Sequence, residues 1–189
     1  MLICSKMRNK INEKIQLGEG VSCEYTDNIL KFKKGSVELE RTINIPIINI
    51  RVKDNELILE ATKGNKIQYK RIKSQIAHIK NLIRGLNNEF VYELEACNVH
   101  FPMTLKVVGD KVLINNFLGE KQPRSAIITK GVKVEINGVK VIVKSNDLES
   151  AGQTAANLEK ATKIKGRDRR VFQDGVYIVK KPERAEAIE

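Results

Sequence analysis

A dense run of basic side chains near the carboxyl end is the part of the chain best suited to bind a ligand. From Lys160 to Lys181 there are eight basic residues and two acidic ones, Asp168 and Asp174. Unpaired charge is costly to bury, so these side chains must lie in water or against an anion such as a nucleic acid phosphate. The pattern predicts a polyanion-binding surface, although a solvated tail would carry the same charge.

Apolar residues on both sides of this run favour an ordered segment over a tail. Leu158 and Ile164 come before the main cluster, and Val171, Phe172, Val176, Tyr177 and Ile178 come after it. We expect these residues to enter the core and the segment to end in a turn centred on a glycine. For the two aromatic residues, core packing and base stacking both remain open. An ordered segment with six surplus positive charges needs a partner more than a mobile tail does.

Cys97 and His100 are the other candidates for chemistry. They stand three residues apart, as in half of a zinc site, but the chain has only two histidines and no paired cysteines elsewhere. No Gly-rich phosphate loop, nucleophile elbow or convergent carboxylate pair accompanies them. Alternating hydrophobicity around Cys97 predicts a strand. We therefore expect no metal, no cofactor and no catalytic residue, and the three cysteines should be free thiols.

Composition points to the same class of partner. The 189 residues are 41% hydrophobic, which excludes a wholly disordered chain, and they carry a net charge of +11. Such a charge indicates nucleic acid or, less often, an anionic membrane surface. No apolar run reaches the eighteen residues of a spanning helix, and the first ten residues lack the apolar core of a signal peptide. We expect a cytoplasmic protein.

Hydrophobic periodicity divides the chain into two copies of one plan. Short segments of alternating apolar and polar residues, separated by Asp, Asn and Gly, predict antiparallel strands joined by hairpins. The strand candidates begin at Val21, Asn28, Val37, Ile47 and Glu56 in the first half, and at Val91, Thr104, Ser125, Val132 and Val139 in the second. Gly109-Asp110 and Asn137-Gly138 are typical hairpin turns.

A helical period follows the strands in each half. The first helix is predicted from about Lys66 to Arg84, ended by Gly85, and the second opens with Asn146 and Glu149 in capping-box spacing. The buried stripes are predicted to be Tyr69, Ile72, Ile76, Ile79 and Ile83 on the first helix, and Leu148, Ala151, Ala155 and Leu158 on the second. Basic residues flank the first stripe, either as a snorkelling rim or as an RNA contact.

In each half of the chain the strands come first and one helix comes late. This repeated order predicts an α+β fold of two tandem domains that arose by duplication. Each domain would be a twisted antiparallel β-sheet with one packed helix. We predict a mobile N-terminus at 1–10, an N-terminal domain at 11–86, a C-terminal RNA-binding domain at 87–181 and a mobile acidic tail at 182–189. A single continuous barrel is the alternative, and the two helical segments argue against it.

Three motifs resemble a known family. Gly152–Ile178, GQTAANLEKATKIKGRDRRVFQDGVYI, is similar to the C-terminal signature of the universal large-subunit ribosomal protein family six, numbered nine in eukaryotes. The other two motifs, HFPM (His100–Met103) and NFLGEKQPR (Asn116–Arg124), resemble stretches of its archaeal and eukaryotic branch. In addition to these three motifs, the short element Asn81–Gly85 matches the Asn-x-x-x-Gly pattern of the family. The hairpin at Lys31–Gly35 departs from the family, because it has one glycine and no proline where members carry a Gly-Pro-rich turn.

The resemblance implies a structural, non-enzymatic constituent of the large ribosomal subunit that supports translation. Its C-terminal domain is expected to bind folded ribosomal RNA close to the sarcin–ricin loop and the translation-factor site. The expected partners are large-subunit ribosomal RNA, neighbouring ribosomal proteins and, transiently, translation factors, with no membrane. The expected RNA-binding residues are Gln153, Thr154, Asn157 and Lys160 on the second helix, Lys163, Lys165, Arg167, Arg169 and Arg170 beyond it, and Arg124 and His100 elsewhere.

Recognition should depend on RNA shape and backbone, since aromatic residues make up 5% of the chain and tryptophan is absent. A free-standing RNA-binding module outside the ribosome would share the same charge pattern. Composition alone leaves that alternative open.

Overall fold

The computed structural model describes residues 9–18, 20–43, 49–53, 56–99, 101–168 and 170–183, and it divides the chain into two compact units, Met1–Asn88 and Glu89–Glu189. The first unit contains β1 (Asn9–Gln16), β2 (Ser22–Thr26), β3 (Ile29–Lys34), β4 (Val37–Thr42), β5 (Asn49–Lys53), β6 (Glu56–Gly64) and α1 (Lys66–Asn87). The second contains β7 (Phe90–Cys97), β8 (Thr104–Val108), β9 (Lys111–Asn115), a 3-10 turn (Phe117–Gly119), β10 (Arg124–Ile127), β11 (Lys133–Asn137), β12 (Lys140–Ser145), α2 (Leu148–Ala161) and β13 (Gly175–Lys180).

The predicted α+β class with antiparallel strands is confirmed. Each unit, however, has two sheets instead of the single sheet expected. The strand orders are β1-β6-β5 and β2-β3-β4 in the first unit, and β11-β12-β7-β13 and β10-β9-β8 in the second. The domain limits 11–86 and 87–181 stay predictions. Two segments, 1–10 and 182–189, were predicted to be mobile. Residues 1–8 and 184–189 of these segments lie outside the described residues.

In the first unit, period-two alternation places one face of each sheet in the core. Leu30 and Phe32 of β3 are fully buried, and Leu57 and Leu59 of β6 pack in the same cluster. The β2–β3 hairpin turns at Asp27 and Asn28, which both have positive φ. Asp and Asn tolerate this left-handed conformation, which two-residue hairpins require.

Strand β1 is absent from the prediction. It pairs antiparallel with β6, from Asn9 opposite Gly64 to Gln16 opposite Glu56, so the last two residues of the segment predicted for 1–10 belong to a strand. Its partner strand lies some forty residues further along the chain. A pairing of that range leaves no local turn signal, which is why the sequence did not reveal it.

Helix α1 extends further than predicted. Asn65 caps it, accepting from the backbone N–H groups of Ile67 and Gln68, while the Gln68 side chain accepts from the Asn65 backbone. The predicted end at Gly85 is wrong, because Gly85 and Leu86 are both buried within the helix. Burying Leu86 favours another turn of helix over a stop.

The predicted stripe of α1 is confirmed at its centre and wrong at its start. Ile72, Ile76 and Ile79 are buried in the core of the first unit. Tyr69 instead is 45% exposed, and Leu82 contributes to the core in addition to the predicted residues. The buried face is therefore rotated slightly from the one that counting by threes and fours indicates.

In the second unit, α2 packs closely on the four-stranded sheet. Ala151 and Ala155 are fully buried, and their small side chains let Leu158 reach the core beside Val141 and Val143. The turns predicted at Gly109-Asp110 and Asn137-Gly138 are confirmed by the pairings of β8 with β9 and of β11 with β12. The predicted small-residue stripe is confirmed except at Leu148, which is only half-buried.

The second unit ends with a strand and not with its helix. Gly175 opens this strand, β13, which pairs antiparallel with β7 from Cys97 onward. Its φ of 157° lies outside the usual range of L residues, and a Cβ there would meet the Tyr177 ring at 3.2 Å. The backbone conformation and the close approach of the Tyr177 ring both favour glycine at the start of this strand.

The cap of α2 lies one residue after the predicted one. Asp147, and not Asn146, accepts hydrogen bonds from the backbone N–H groups of Glu149 and Ser150, each at 3.1 Å, and from the Ser150 hydroxyl at 2.5 Å. A carboxylate at this position also interacts favourably with the positive end of the helix.

We expect Asp147→Ala to lower the free energy of unfolding by about 1 kcal/mol, since an alanine leaves two helix N–H groups without their acceptor. Asp147→Asn should lose only a few tenths, because its amide oxygen can still cap. Urea denaturation of the two variants checks this. Equal losses would show that the cap oxygen does not stabilise α2.

Candidate nucleic-acid interface

The loop between α2 and β13, residues 163–174 and called the basic loop from here on, carries the predicted anion-binding cluster. Lys163, Lys165, Arg167 and Arg170 are all exposed on it. Among the residues that the structure describes, no carboxylate forms an ion pair with these four side chains. Arg169 lies outside the described residues. The cluster is thus a set of solvated cations on one loop.

A buried threonine closes the base of the basic loop. The Thr162 hydroxyl accepts a hydrogen bond from the backbone N–H of Val176 at 2.9 Å and lies 3.4 Å from the Leu158 carbonyl oxygen, which it can donate to. Thr162 and Val176 are both buried. The last turn of α2 is therefore tied directly to the first residues of β13, and the two ends of the loop are held together.

Apolar contacts anchor the middle of the basic loop. Ile164 is buried against Ile114 and Phe117, and the half-buried Phe172 packs on the same cluster. The guanidinium carbon of Arg167 lies 4.8 Å from the centre of the Phe172 ring, which allows a cation–π contact. Phe172 thus contributes to core packing, the first of the two roles left open for it.

Polar contacts hold the second half of the basic loop. The Asp168 carboxylate accepts from the Arg170 backbone N–H at 2.9 Å, and the buried Asp174 carboxylate accepts from the Val99 N–H at 2.5 Å. The Tyr177 hydroxyl lies 3.3 Å from the Gln173 carbonyl oxygen, within donating distance. These bonds give the basic loop a defined backbone path.

One anchor expected from the sequence does not enter the core. Val171 is 60% exposed, so the prediction for it is wrong. The turn that bonds Phe172 N–H to the Asp168 carbonyl oxygen, at 3.0 Å, directs Phe172 inward. Its neighbour Val171 is then left on the outer side of the loop.

Arg124 of β10 holds the loop where it leaves α2. Its Nη1 donates to the carbonyl oxygens of Ala161 at 2.9 Å and Lys163 at 3.2 Å. Its Nε and Nη2 donate to the two Glu120 carboxylate oxygens at 2.8 and 2.6 Å, and its guanidinium carbon lies 4.2 Å from the centre of the Phe117 ring. A cation at the carboxyl end of a helix also meets the negative end of its dipole.

This geometry gives Arg124 a structural role within the protein. Nε and both terminal nitrogens of its guanidinium donate to acceptors within the protein, and the Glu120 carboxylate offsets its charge. Arg124 therefore positions the basic loop, and its contact with RNA stays a prediction.

The Arg124–Glu120 pair responds to acid. Hydrogen bonding from Arg124 lowers the pKa of Glu120 below its ordinary value of 4.5, and the positive charge of Arg167 adds to the effect. Because the folded pKa is the lower one, the stabilisation is complete above the unfolded pKa and is lost as the pH falls through the folded pKa. At neutral pH the Glu120 carboxylate is ionised.

Comparison with known proteins bears on this loop and on most of the chain. The family model described as ribosomal protein L6 matches residues 101–175. Large ribosomal subunit protein uL6 of Methanococcus vannielii is 43% identical over 171 residues, which cover 90% of this chain and 94% of that protein. The uL6 proteins of Sulfurisphaera tokodaii and Methanobrevibacter smithii are each 42% identical, over 89% and 90% of this chain and 91% and 96% of their own length.

The chain belongs to the uL6 family. The resemblance drawn from the three sequence motifs is thereby confirmed, and the relatives are archaeal, as the motifs indicated. Two of those motifs contain the structural parts of the loop. NFLGEKQPR supplies Phe117, Glu120 and Arg124, and the GQTAANLEKATKIKGRDRRVFQDGVYI signature supplies Thr162, Ile164 and the basic side chains.

On this uL6 family member, the predicted residues of α2 divide into surface and core. Gln153 is exposed, and its amide donates to the Asn157 side-chain oxygen at 2.8 Å, while the Asn157 amide donates to the Ile127 carbonyl at 2.9 Å. Lys160 is exposed at the last turn, beside the basic loop. Gln153 and Lys160 are thus available to a ligand, and Asn157 orients Gln153.

Thr154 has to be removed from the set of surface residues. It is 1% exposed, its hydroxyl lies 2.9 Å from the Ser150 carbonyl oxygen, to which it can donate, and its oxygen accepts from the Thr129 backbone N–H at 3.1 Å. It connects α2 to the loop after β10. Helical spacing alone could not show this, because the bond partner Thr129 is distant in the chain.

The two residues considered for catalysis, Cys97 and His100, are not part of the basic loop. Cys97 is the last residue of β7, as the alternation predicted, and it is an exposed free thiol. His100 lies outside the described residues. Within the described ranges, no three His, Cys, Asp or Glu side chains are grouped so that they could hold a metal ion. Neither of the two described helices is long and apolar enough to cross a membrane.

Sequence reasoning missed the residues that shape the basic loop. Thr162, Phe117 and Glu120 were inside quoted motifs, but nothing marked them as positioning residues. Glu120 and Arg124 stand four apart, a spacing that brings side chains together on a helix. Here they meet across an irregular turn instead, so the spacing by itself was not a usable signal.

Arg124→Ala should lower the free energy of unfolding by about 1–2 kcal/mol, because the Ala161 and Lys163 carbonyls and the Glu120 carboxylate lose their donor in a partly exposed site. We also expect faster amide hydrogen exchange in the basic loop. Lys121→Ala, which removes an exposed cation three residues away, is the control and should change stability by less than about 0.5 kcal/mol. Equal losses in the two variants would contradict the positioning role.

Proposed function

We propose that the basic loop binds the phosphate backbone of folded ribosomal RNA. Membership of the uL6 family makes the chain a structural constituent of the large subunit of the cytoplasmic ribosome, and not an enzyme. Ribosomal RNA and neighbouring ribosomal proteins are therefore its partners. The observation that carries the proposal is the array of solvated cations on a loop whose ends and middle are anchored.

Anchoring matters because binding costs conformational freedom. A loop that must order itself on RNA loses entropy at that moment, whereas a loop already held by Thr162, Ile164 and Arg124 has little left to lose. Its cations can then displace the counterions condensed on RNA. Arginine adds a planar fork that matches two phosphate oxygens, and lysine adds a mobile point charge.

The binding mode should be backbone recognition. The two aromatic residues of this region are engaged within the protein, since Phe172 packs against the cluster of Ile164 and the Tyr177 hydroxyl lies against the Gln173 carbonyl. Stacking of splayed bases therefore has no obvious platform here. Gln153 and Lys160 extend the surface along α2, and Arg169 and His100 remain predicted contacts.

We place this contact close to the sarcin–ricin loop and the site where translation factors bind. The support is the resemblance of Gly152–Ile178 to the C-terminal signature of the family, whose C-terminal domain is expected to bind RNA at this location. A non-catalytic protein there would hold RNA in the shape that the factors meet. Translation factors would then be transient neighbours and not permanent partners.

Replacing Arg167, Arg169 and Arg170 together with glutamine should weaken binding to RNA extracted from large subunits. Each phosphate that the protein no longer neutralises reduces the slope of log K against log salt by about 0.7–0.9, so we expect a reduction of about 2–3. The measurement is a filter-binding titration at several salt concentrations.

A variant with Lys111, Lys133 and Lys140 replaced by glutamine is the charge-matched control in the same unit, outside the basic loop. If the two variants bind alike, the loop is not the RNA-binding surface. Sedimentation of cell lysate separates the remaining alternative. A large-subunit protein sediments with the subunit after a moderate salt wash, whereas a free-standing RNA-binding module stays at the top of the gradient.

A further inference from the structure

The exposed face of α1 carries a second concentration of positive charge. The helix has six basic residues and no acidic residue over 22 positions, namely Lys66, Lys70, Arg71, Lys73, Lys80 and Arg84. Steps of three, four and seven residues place five of them on one side, with Arg71 adjoining. From first to last they span about 27 Å along the helix axis.

The second helix of the chain shows that this charge is not a general property of the fold. Helix α2 has one basic residue, Lys160, and two acidic ones, Glu149 and Glu159. In the second unit the cations lie on the basic loop, after the helix. In the first unit α1 is followed by Asn88 and Glu89, and the cations lie on the helix itself.

Four of the six cations of α1 make no ion pair with a residue that the structure describes. Lys66, Lys70, Arg71 and Lys80 are exposed, and within the described part of the chain no carboxylate pairs with them. Lys73 differs, because its Nζ pairs with Glu13 of β1 at 2.7 Å and fastens the helix to the sheet. A snorkelling rim would bury only the aliphatic stems of these four residues and would still leave their charged heads in solvent.

The amino end of α1 adds to the positive field. Its caps are the neutral amides Asn65 and Gln68, and its first turn contains no acidic residue. Lys66 stands at the first helical position, where a cation is unfavourable because it meets the positive end of the helix dipole. In α2 the same end carries Asp147 and Glu149, which neutralise it.

We infer that the exposed basic face of α1, defined by Lys66, Lys70, Arg71 and Lys80, is a second RNA-binding surface of this chain. Its ligand is the phosphate backbone of folded RNA, for which a rigid row of exposed cations is the complementary charge. The inference rests on the proposed function in one respect, because ribosomal RNA is taken as the partner. It differs in assigning a separate surface, in the other unit, to RNA.

The test replaces Lys66, Lys70 and Lys80 with glutamine in the full-length chain, which keeps good helix formers on the surface of α1. Binding to RNA extracted from large subunits is titrated at several salt concentrations. Removing three cations that each neutralise a phosphate should reduce the slope of log K against log salt by about 2–3. Circular dichroism and the melting temperature establish that the variant is folded.

A matched control exists in the same unit. Lys14, Arg51 and Lys53 are exposed on β1 and β5, and they alternate along these strands with Ile15 and Val52, which enter the core that α1 covers. They therefore lie on the sheet face away from α1. Replacing these three with glutamine changes the net charge equally and should leave the slope nearly unchanged.

The outcomes separate this inference from the proposed function. If the α1 variant and the sheet control bind alike, the inference is overturned, while a loss in the basic-loop variant still supports the proposed function. If only the α1 variant loses affinity, the inference stands and the basic loop is the wrong site. If the α1 variant binds RNA normally but leaves the large subunit at lower salt, the face binds a ribosomal protein. That result, like a chain that binds no RNA, overturns the inference.

Discussion

In the second unit, one buried hydrogen bond joins the two ends of the basic loop. The buried Thr162 hydroxyl joins the last turn of α2 to Val176 at the start of β13. Between them lies a loop whose exposed cations repel one another, and the backbone hydrogen bonds accepted by Asp168 and Asp174 help to resist that repulsion. Ile164 and Phe172 supply apolar anchors, and Arg124 satisfies the helix-end carbonyls. The basic side chains can stay in water because contacts inside the unit hold the backbone of the loop.

The two units use the same kinds of element but distribute charge differently. Both have two antiparallel sheets and one long helix with an aliphatic face. In the second unit the helix is nearly neutral and the following loop is basic, whereas in the first the helix carries the cations and is followed by Asn88 and Glu89. Duplication would conserve the packing face, because the core tolerates few changes. The solvent face is free to diverge.

Prediction from the sequence succeeded where the signal was local. The hairpins at Asn137-Gly138 and Gly109-Asp110, the centre of the α1 stripe and the small-residue stripe of α2 followed from period and turn chemistry. It failed where a distant partner decided the outcome. Strand β1 needs β6, β13 needs β7, and α1 continues through Gly85 because Leu86 has a core to enter. The predicted cap of α2 was one residue too early, because Asn146 and Asp147 are adjacent and both have side chains that can cap a helix.

The sequence by itself determined the class of fold, the family and the sign of the surface charge, since these depend on composition, periodicity and motif order. Only the tertiary structure decided which residues of the motifs face solvent. The sequence alone predicted that Thr154 and Arg124 contact a ligand. In the structure, Thr154 bonds Thr129 inside the unit and Arg124 bonds the end of α2. The physical reason is that a polar side chain has a limited number of donors and acceptors. Whether protein or ligand uses them depends on neighbours that are far away in the chain and adjacent in space.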